Sequence, residues 1–281
     1  MAANMSLFFV FTVDGDWEEY YDPSLTEEKR KPVKESLVRW VRCEIRIARS
    51  LLKGKFVHFV HSSPRVRDFF LQPDFIGLWK EVEQGGGSVG VHCHEEDPRR
   101  EYYYSDPSRM DLAITFMAKA LKDAGLKAVC YRGGYMAFSP LIIPVLEKNG
   151  ITLDFSCEPG RYLLHEGIEI SDWRGAPQNF YRMDALDHKK KGSSAVYEIP
   201  VGTSGTAHLY LERISILEAF KVARALSGSK DLQIVSVLSH SYQFGSFLQK
   251  LKMIVVFLIL RKYGTFINCE EAISLIKETE K

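Results

Sequence analysis

Seven short apolar runs rich in Val, Ile and Phe recur along the chain with helical patterns between them, and this alternation limits the fold more than any other feature. A strand, a helix and a second strand make one βα unit, and a series of such units makes a parallel sheet. The runs predict strands near 6–13, 56–61, 88–92, 128–132, 151–155, 196–201 and 233–239. One helix is expected from about Val33 to Leu52, before Gly54. A second opens at Asp106 and Pro107 and closes at Gly125, and a third opens at Ser139 and Pro140 and closes at Gly150. Glu158 to Ala195 has no sustained period and reads as an excursion, so residues 1–281 are expected to form a single domain. Seven strands with intervening helices point to a closed or nearly closed α/β barrel, with a doubly wound open sheet as the alternative. In both folds ligands meet the carboxyl ends of the strands.

Composition narrows the function classes. A hydrophobic content of 46% supplies a sizeable core and excludes disorder, collagen and coiled coil. Lys+Arg 37 against Asp+Glu 36 leaves a formal charge of +1, so no net field recommends nucleic acid or an anionic membrane as a partner. The stretch MIVVFLIL at 253–260, flanked by lysines and Arg261, falls far short of the ~20 residues that span a bilayer and predicts a buried helix instead. The amino-terminal run meets two aspartates too soon to read as a secretion signal. Five cysteines with no C-x-x-C pair suit free thiols, and together these features suggest a cytoplasmic protein.

Polar residues collect at the predicted strand ends. FFVFTVDGDW runs a strand into Asp14 and Asp16, which share one face because alternate residues of a strand point the same way. Two carboxylates so close raise one pKa unless a cation stands nearby. In GVHCHEED, His92 and His94 are again two apart and aim at one point, with Cys93 facing the other way and Glu96 as a competing ligand. Two histidines and a carboxylate leave room for water, as a catalytic zinc requires. Arg132 ends the fourth strand, where it could pair with Asp14, and Gly133 and Gly134 would let backbone N–H groups near Tyr135 approach a substrate oxyanion. Asp154 lies near the end of the fifth strand and His240 after the seventh, as a carboxylate and a proton donor. His58 and His61 read as rim or core histidines of an alternating strand. Trp17, Tyr20, Tyr21 and Tyr102 to Tyr104 could form an aromatic wall for a sugar.

The order Asp-x-Asp, His-x-His, Arg-Gly-Gly-Tyr, Asp-x-Ser and a late histidine resembles the five-motif series of the polysaccharide deacetylases (the NodB-like superfamily, carbohydrate esterase family 4), from Leu7 to about Ile276. The resemblance implies a distorted (β/α) barrel of about seven parallel strands and a divalent metal, usually zinc, at the strand ends. It implies Asp14 as catalytic base, Asp16, His92 and His94 as metal ligands, Arg132 as the brace of the base, and His240 with Asp154 as the acid. Gly134, Tyr135 and Trp17 would meet substrate. The family's adjacent aspartates are split here by Gly15, and its histidines four apart become two apart, as in divergent branches. The implied reaction is hydrolysis of an N-acetyl or similar N-acyl group on a carbohydrate or amino sugar. The alternatives are a related C–N hydrolase, a deformylase or cyclic amide hydrolase able to work without metal, and a carbohydrate-binding module that has lost the chemistry.

Overall fold

The computed structural model describes residues 6–16, 27–63, 66–94, 104–165 and 167–280; Trp17, Tyr20, Tyr21, Glu96, Tyr102 and Tyr103 lie outside them. In chain order the elements are β1 (Leu7–Asp14), α1 (Glu27–Leu52), β2 (Val57–His61), α2 (Arg67–Phe70), α3 (Pro73–Gln84), β3 (Ser88–Cys93), α4 (Pro107–Asp123), β4 (Cys130–Gly133), α5 (Ile143–Lys148) and β5 (Leu153–Asp154). They continue with β6 (Tyr162–His165), β7 (Ile168–Asp172), β8 (Tyr181–Arg182), β9 (Tyr197–Glu198), α6 (Ile216–Ser227), β10 (Gln233–His240), α7 (Phe247–Leu260), β11 (Thr265–Phe266) and α8 (Cys269–Thr279).

The main sheet runs β10-β1-β2-β3-β4-β5-β9 with every neighbour parallel. Past β9 the chain reaches β10: Val201 bridges Ser236, the Gly202 N–H donates to the Ser236 carbonyl at 2.9 Å, and the Ser236 N–H donates to the Pro200 carbonyl at 2.8 Å. Tyr210 forms a second parallel bridge, to Leu238. These bonds join the two ends of the sheet, and the seven expected strands make a distorted (β/α) barrel. The excursion forms a β6–β7 hairpin and the antiparallel edge strand β8.

Strand alternation divides the core in two. Val10, Val57, Phe59, Cys130, Leu153, Phe155, Ile199 and Ile234 form one apolar cluster inside the barrel. Their neighbours of opposite parity, such as Phe9, Phe11, Val60, Val91, Tyr131 and Val237, pack in the larger cluster with the helices. Helix starts follow local chemistry: Asp106 accepts from the N–H groups of Ser108 and Arg109, and Ser215 with Glu218 forms a capping box at α6.

Several boundaries differ from expectation. The first described helix begins at Glu27 rather than near Val33, and the third splits into a 3₁₀ turn at Pro140–Ile142 followed by α5. The 253–260 stretch is helical, as expected, but only half buried. Met253, Val256, Phe257 and Leu260 face the core, while Leu258 is exposed, as is Leu251 just before the stretch.

Candidate metal and hydrolytic site

Alternation also builds the site. Stepping by two from the inward-facing Val10, Phe59, Gly90, Cys130 and Ile234 leads to Asp14, His61, His92, Arg132 and His240, all at the carboxyl ends of parallel strands. Register aligns them: Asp14 stands opposite His240, His61 opposite His92, and His92 opposite Arg132. The Gly15 N–H donates to the Phe59 carbonyl at 3.0 Å, so the strand geometry continues past Asp14 and brings Asp16 to the same face. Gly15 has to be glycine, because a Cβ there would lie 2.7 Å from the Phe59 carbonyl oxygen.

Asp16, His92 and His94 converge. The Asp16 Oδ1 lies 3.2 Å from His92 Nε2 and 3.3 Å from His94 Nε2, and the two imidazole nitrogens are 3.1 Å apart. Ligands held ~2.0 Å from a shared tetrahedral ion stand about 3.3 Å from one another, so the triangle has the dimensions of one face of a zinc site. The Asp16 Oδ1 is buried and has no hydrogen-bond partner. His92 Nδ1 lies 3.0 Å from the Arg132 carbonyl, which can only accept, so the neutral ring carries its proton there and turns the Nε2 lone pair toward the triangle. Burial alone would raise the Asp16 carboxyl, but the charge and hydrogen bonds that the His94 and His92 rings supply when protonated hold it well below the usual carboxylate range. These donors fit a divalent cation, and among the described residues they are the one group of three or more able to hold it.

The pair expected between Arg132 and Asp14 is present. The wholly buried guanidinium donates from Nη1 to Asp14 Oδ1 at 2.8 Å and from Nε to the Phe155 carbonyl at 2.9 Å. Asp14 Oδ2 is left facing His92 Nε2 at 3.9 Å and His240 Nε2 at 4.0 Å. Gly134 packs under His94, where a Cβ would meet the ring at 2.6 Å. The turn that follows is strained: Tyr135 and Met136 hold φ of 55° and 61°, and the Met136 carbonyl accepts from Trp173 Nε1 at 2.7 Å. The exposed ring of Tyr135 stands 5.2 Å from His94, and that of Tyr242 stacks on His240 at 5.1 Å.

Asp154 is not the carboxylate at His240. Leu153 and Phe155 face the barrel interior, so Asp154 between them points to the other side of the sheet, where it accepts from the Ser156 hydroxyl at 2.7 Å. Glu212 takes the expected place. Its Oε1 accepts from the His240 N–H at 2.8 Å and from the Ser239 hydroxyl at 2.9 Å, and lies 3.5 Å from His240 Nδ1. Burial would lower His240, but Glu212, then Asp14 and Asp16, raise it to about 9.

Sequence reasoning gave Glu212 no role because it lies in an aperiodic stretch with no motif. His61 carried a readable signal, its position at the end of an alternating strand. The Ser63 N–H donates to His61 Nδ1 at 3.2 Å, which leaves the ring proton on Nε2, 3.6 Å from Asp16 Oδ1. Burial and the neighbouring His94 push His61 well below its ordinary value, so it is neutral and can donate toward that carboxylate.

Comparison with solved structures gives the same architecture. A protein assigned as a polysaccharide deacetylase from Mycobacterium smegmatis is similar at 13% identity with a TM-score of 0.64, over 100% of this chain and 93% of that one. A protein with the same assignment from Pseudomonas aeruginosa matches at 10% identity and a TM-score of 0.60, over 95% and 89%. A 4-alpha-glucanotransferase from Thermococcus litoralis matches at 12% and 0.63, over 95% of this chain and 40% of that one. No family model and no curated protein matches the sequence. At these identities the likeness establishes the fold alone, a distorted (β/α) barrel common to assigned deacetylases and a glucanotransferase, and leaves the chemistry to the site.

Proposed function

We propose that the chain is a metal-dependent hydrolase that removes an N-acetyl or similar N-acyl group from a carbohydrate or amino sugar. The observation that carries this reading is the triangle of Asp16, His92 and His94 set beside the Asp14–Arg132 and His240–Glu212 pairs. Asp16, His92 and His94 would hold a divalent ion, zinc by the character of its donors. When bound, the ion supplies a water of lowered pKa and polarises the scissile carbonyl.

The chain's own groups divide the remaining work. Arg132 fixes Asp14 through Oδ1 and leaves Oδ2 to take a proton from the attacking water. His240, held through its backbone by Glu212 and protonated at neutral pH, gives a proton to the departing amine. Its Nε2 lies 4.0 Å from Asp14 Oδ2, so base and acid flank one small space. A backbone N–H near Tyr135 would meet the developing oxyanion, with Gly134 allowing the approach. The rings of Tyr135 and Tyr242 offer apolar faces to a sugar.

The test is acetate release from a panel of N-acetylated amino sugars, with the metal content of the same protein measured by mass spectrometry. Asp14→Asn should keep the ion and lose roughly 10²–10⁴-fold in turnover, the range for removing a general base. Asp16→Ala should lose both ion and turnover. Turnover that survives in Asp16→Ala protein free of metal would replace this reading with a metal-independent C–N hydrolase. Sugar binding with no product would leave a binding module.

A further inference from the structure

The helix α7 carries apolar residues on every side. Its inward positions Met253, Val256, Phe257 and Leu260 are buried, whereas Phe247 and Leu248 are each 74% exposed, Leu251 is 51% and Leu258 is 46% exposed. Phe247, Leu251 and Leu258 are four and seven residues apart and form one stripe along the helix. On the neighbouring α6, Ile216 and Leu217 are exposed as well. A helix apolar all round is ordinarily enclosed by protein or lipid, and among the described residues nothing covers this face.

Charge identifies the cover. From Leu232 to Cys269 the sequence has no Asp or Glu, and Lys250, Arg261 and Lys262 flank the apolar stripe. The neutral total of the whole chain conceals this local asymmetry. A second copy docked about a two-fold axis would set these cations against themselves, because on α6 the exposed Glu218 is outnumbered by Lys221 and Arg224 and the face stays net positive. An anionic lipid surface answers them directly. No described helix is long and apolar enough to cross a membrane, and the 14 residues of α7 reach only ~21 Å against a hydrocarbon core of ~30 Å. Apolar face, basic flanks and short length together describe a helix that lies in the plane of the interface.

We propose that the outward face of α7 docks this protein on an anionic bilayer. The turn that leads into α7 carries Tyr242, stacked on His240, so the docked face adjoins the mouth of the barrel. An attached protein would present that mouth to groups at headgroup level, which fits an N-acylated substrate borne on lipid.

The experiment is co-sedimentation of the full chain with vesicles of equal parts phosphatidylcholine and phosphatidylglycerol, against vesicles of phosphatidylcholine alone. Binding to the anionic vesicles should be at least about tenfold stronger and should weaken as salt is raised. Leu248→Gln with Leu251→Gln, and separately Lys250→Glu with Lys262→Glu, should each lower it about tenfold, with melting temperatures unchanged. Absence of binding to anionic vesicles overturns the proposal, as does binding that both double variants retain. Light scattering that finds a wild-type dimer, separated into monomers by Leu248→Gln with Leu251→Gln, would assign the face to a second copy instead. Each measurement reads attachment rather than turnover, so the outcome is independent of the hydrolase reading.

Discussion

Two pairs of carboxylates lie near Arg132 and have opposite fates. Asp14 and Asp16 face the barrel mouth, where one meets the guanidinium and the other a cluster of imidazoles. Asp154 and Glu198 stand opposite each other on β5 and β9, wholly buried, with the Ser156 hydroxyl and the backbone N–H groups of Ser156 and Cys157 as donors. Burial lifts both of the second pair, and the nearby Asp154 pushes Glu198 further up. The mouth pair can receive a cation, whereas burial and mutual repulsion favour the protonated form in the buried pair. A single residue of strand parity decides which environment a carboxylate enters.

The most severe way to break the contrast is Arg132→Met. It removes the guanidinium from the buried Asp14 and leaves only the more distant His240 as a counter-charge, and losing one partner of such a pair costs about 3–5 kcal/mol. Denaturant unfolding should show that loss, and turnover should disappear with it.

Glu212→Gln is a smaller change that isolates the proposed acid, His240. His240 is raised to about 9 against an ordinary 6.5, so its proton is present through neutral pH and lost as pH climbs past the folded value. The stability it contributes is complete below 6.5 and fades through about 9. Without the Glu212 charge, the alkaline limb of the pH–rate profile should move to lower pH, with a rate loss of about tenfold at pH 8.

Glu198→Gln should have the mildest effect, and in the opposite direction. A carboxyl raised in the folded state is ionised first in the unfolded chain, so it weakens the fold increasingly as pH rises from its ordinary 4.5 toward the folded value. The amide keeps the acceptor for Cys157 and stays neutral at every pH. Thermal melts should match wild type near pH 4 and favour the variant by about 1 kcal/mol at pH 8.

Most of the barrel and the core of the site were legible because period two is written directly in the residue order. The same rule that spaced Asp14 from Asp16 and His92 from His94 also placed Arg132 opposite His92. Applied to LDFS, it would have turned Asp154 away from the mouth, since Leu153 and Phe155 claim the interior. Glu212 was beyond reach for a different reason. It arrives through a stretch whose path is set by bridges to β10 rather than by its own periodicity. The exposed half of α7 was hidden similarly, because hydropathy counts apolar residues but does not report which of them meet a neighbour.

The end of β4 serves two masters. Through its side chain Arg132 aims Asp14, the proposed base, and through its carbonyl it orients the ring of His92, a proposed ligand. Asp14 and His92 are thus fastened to one post: whatever tilts it misaligns both together. Drift at this site would therefore silence the machinery in a single stroke rather than by degrees.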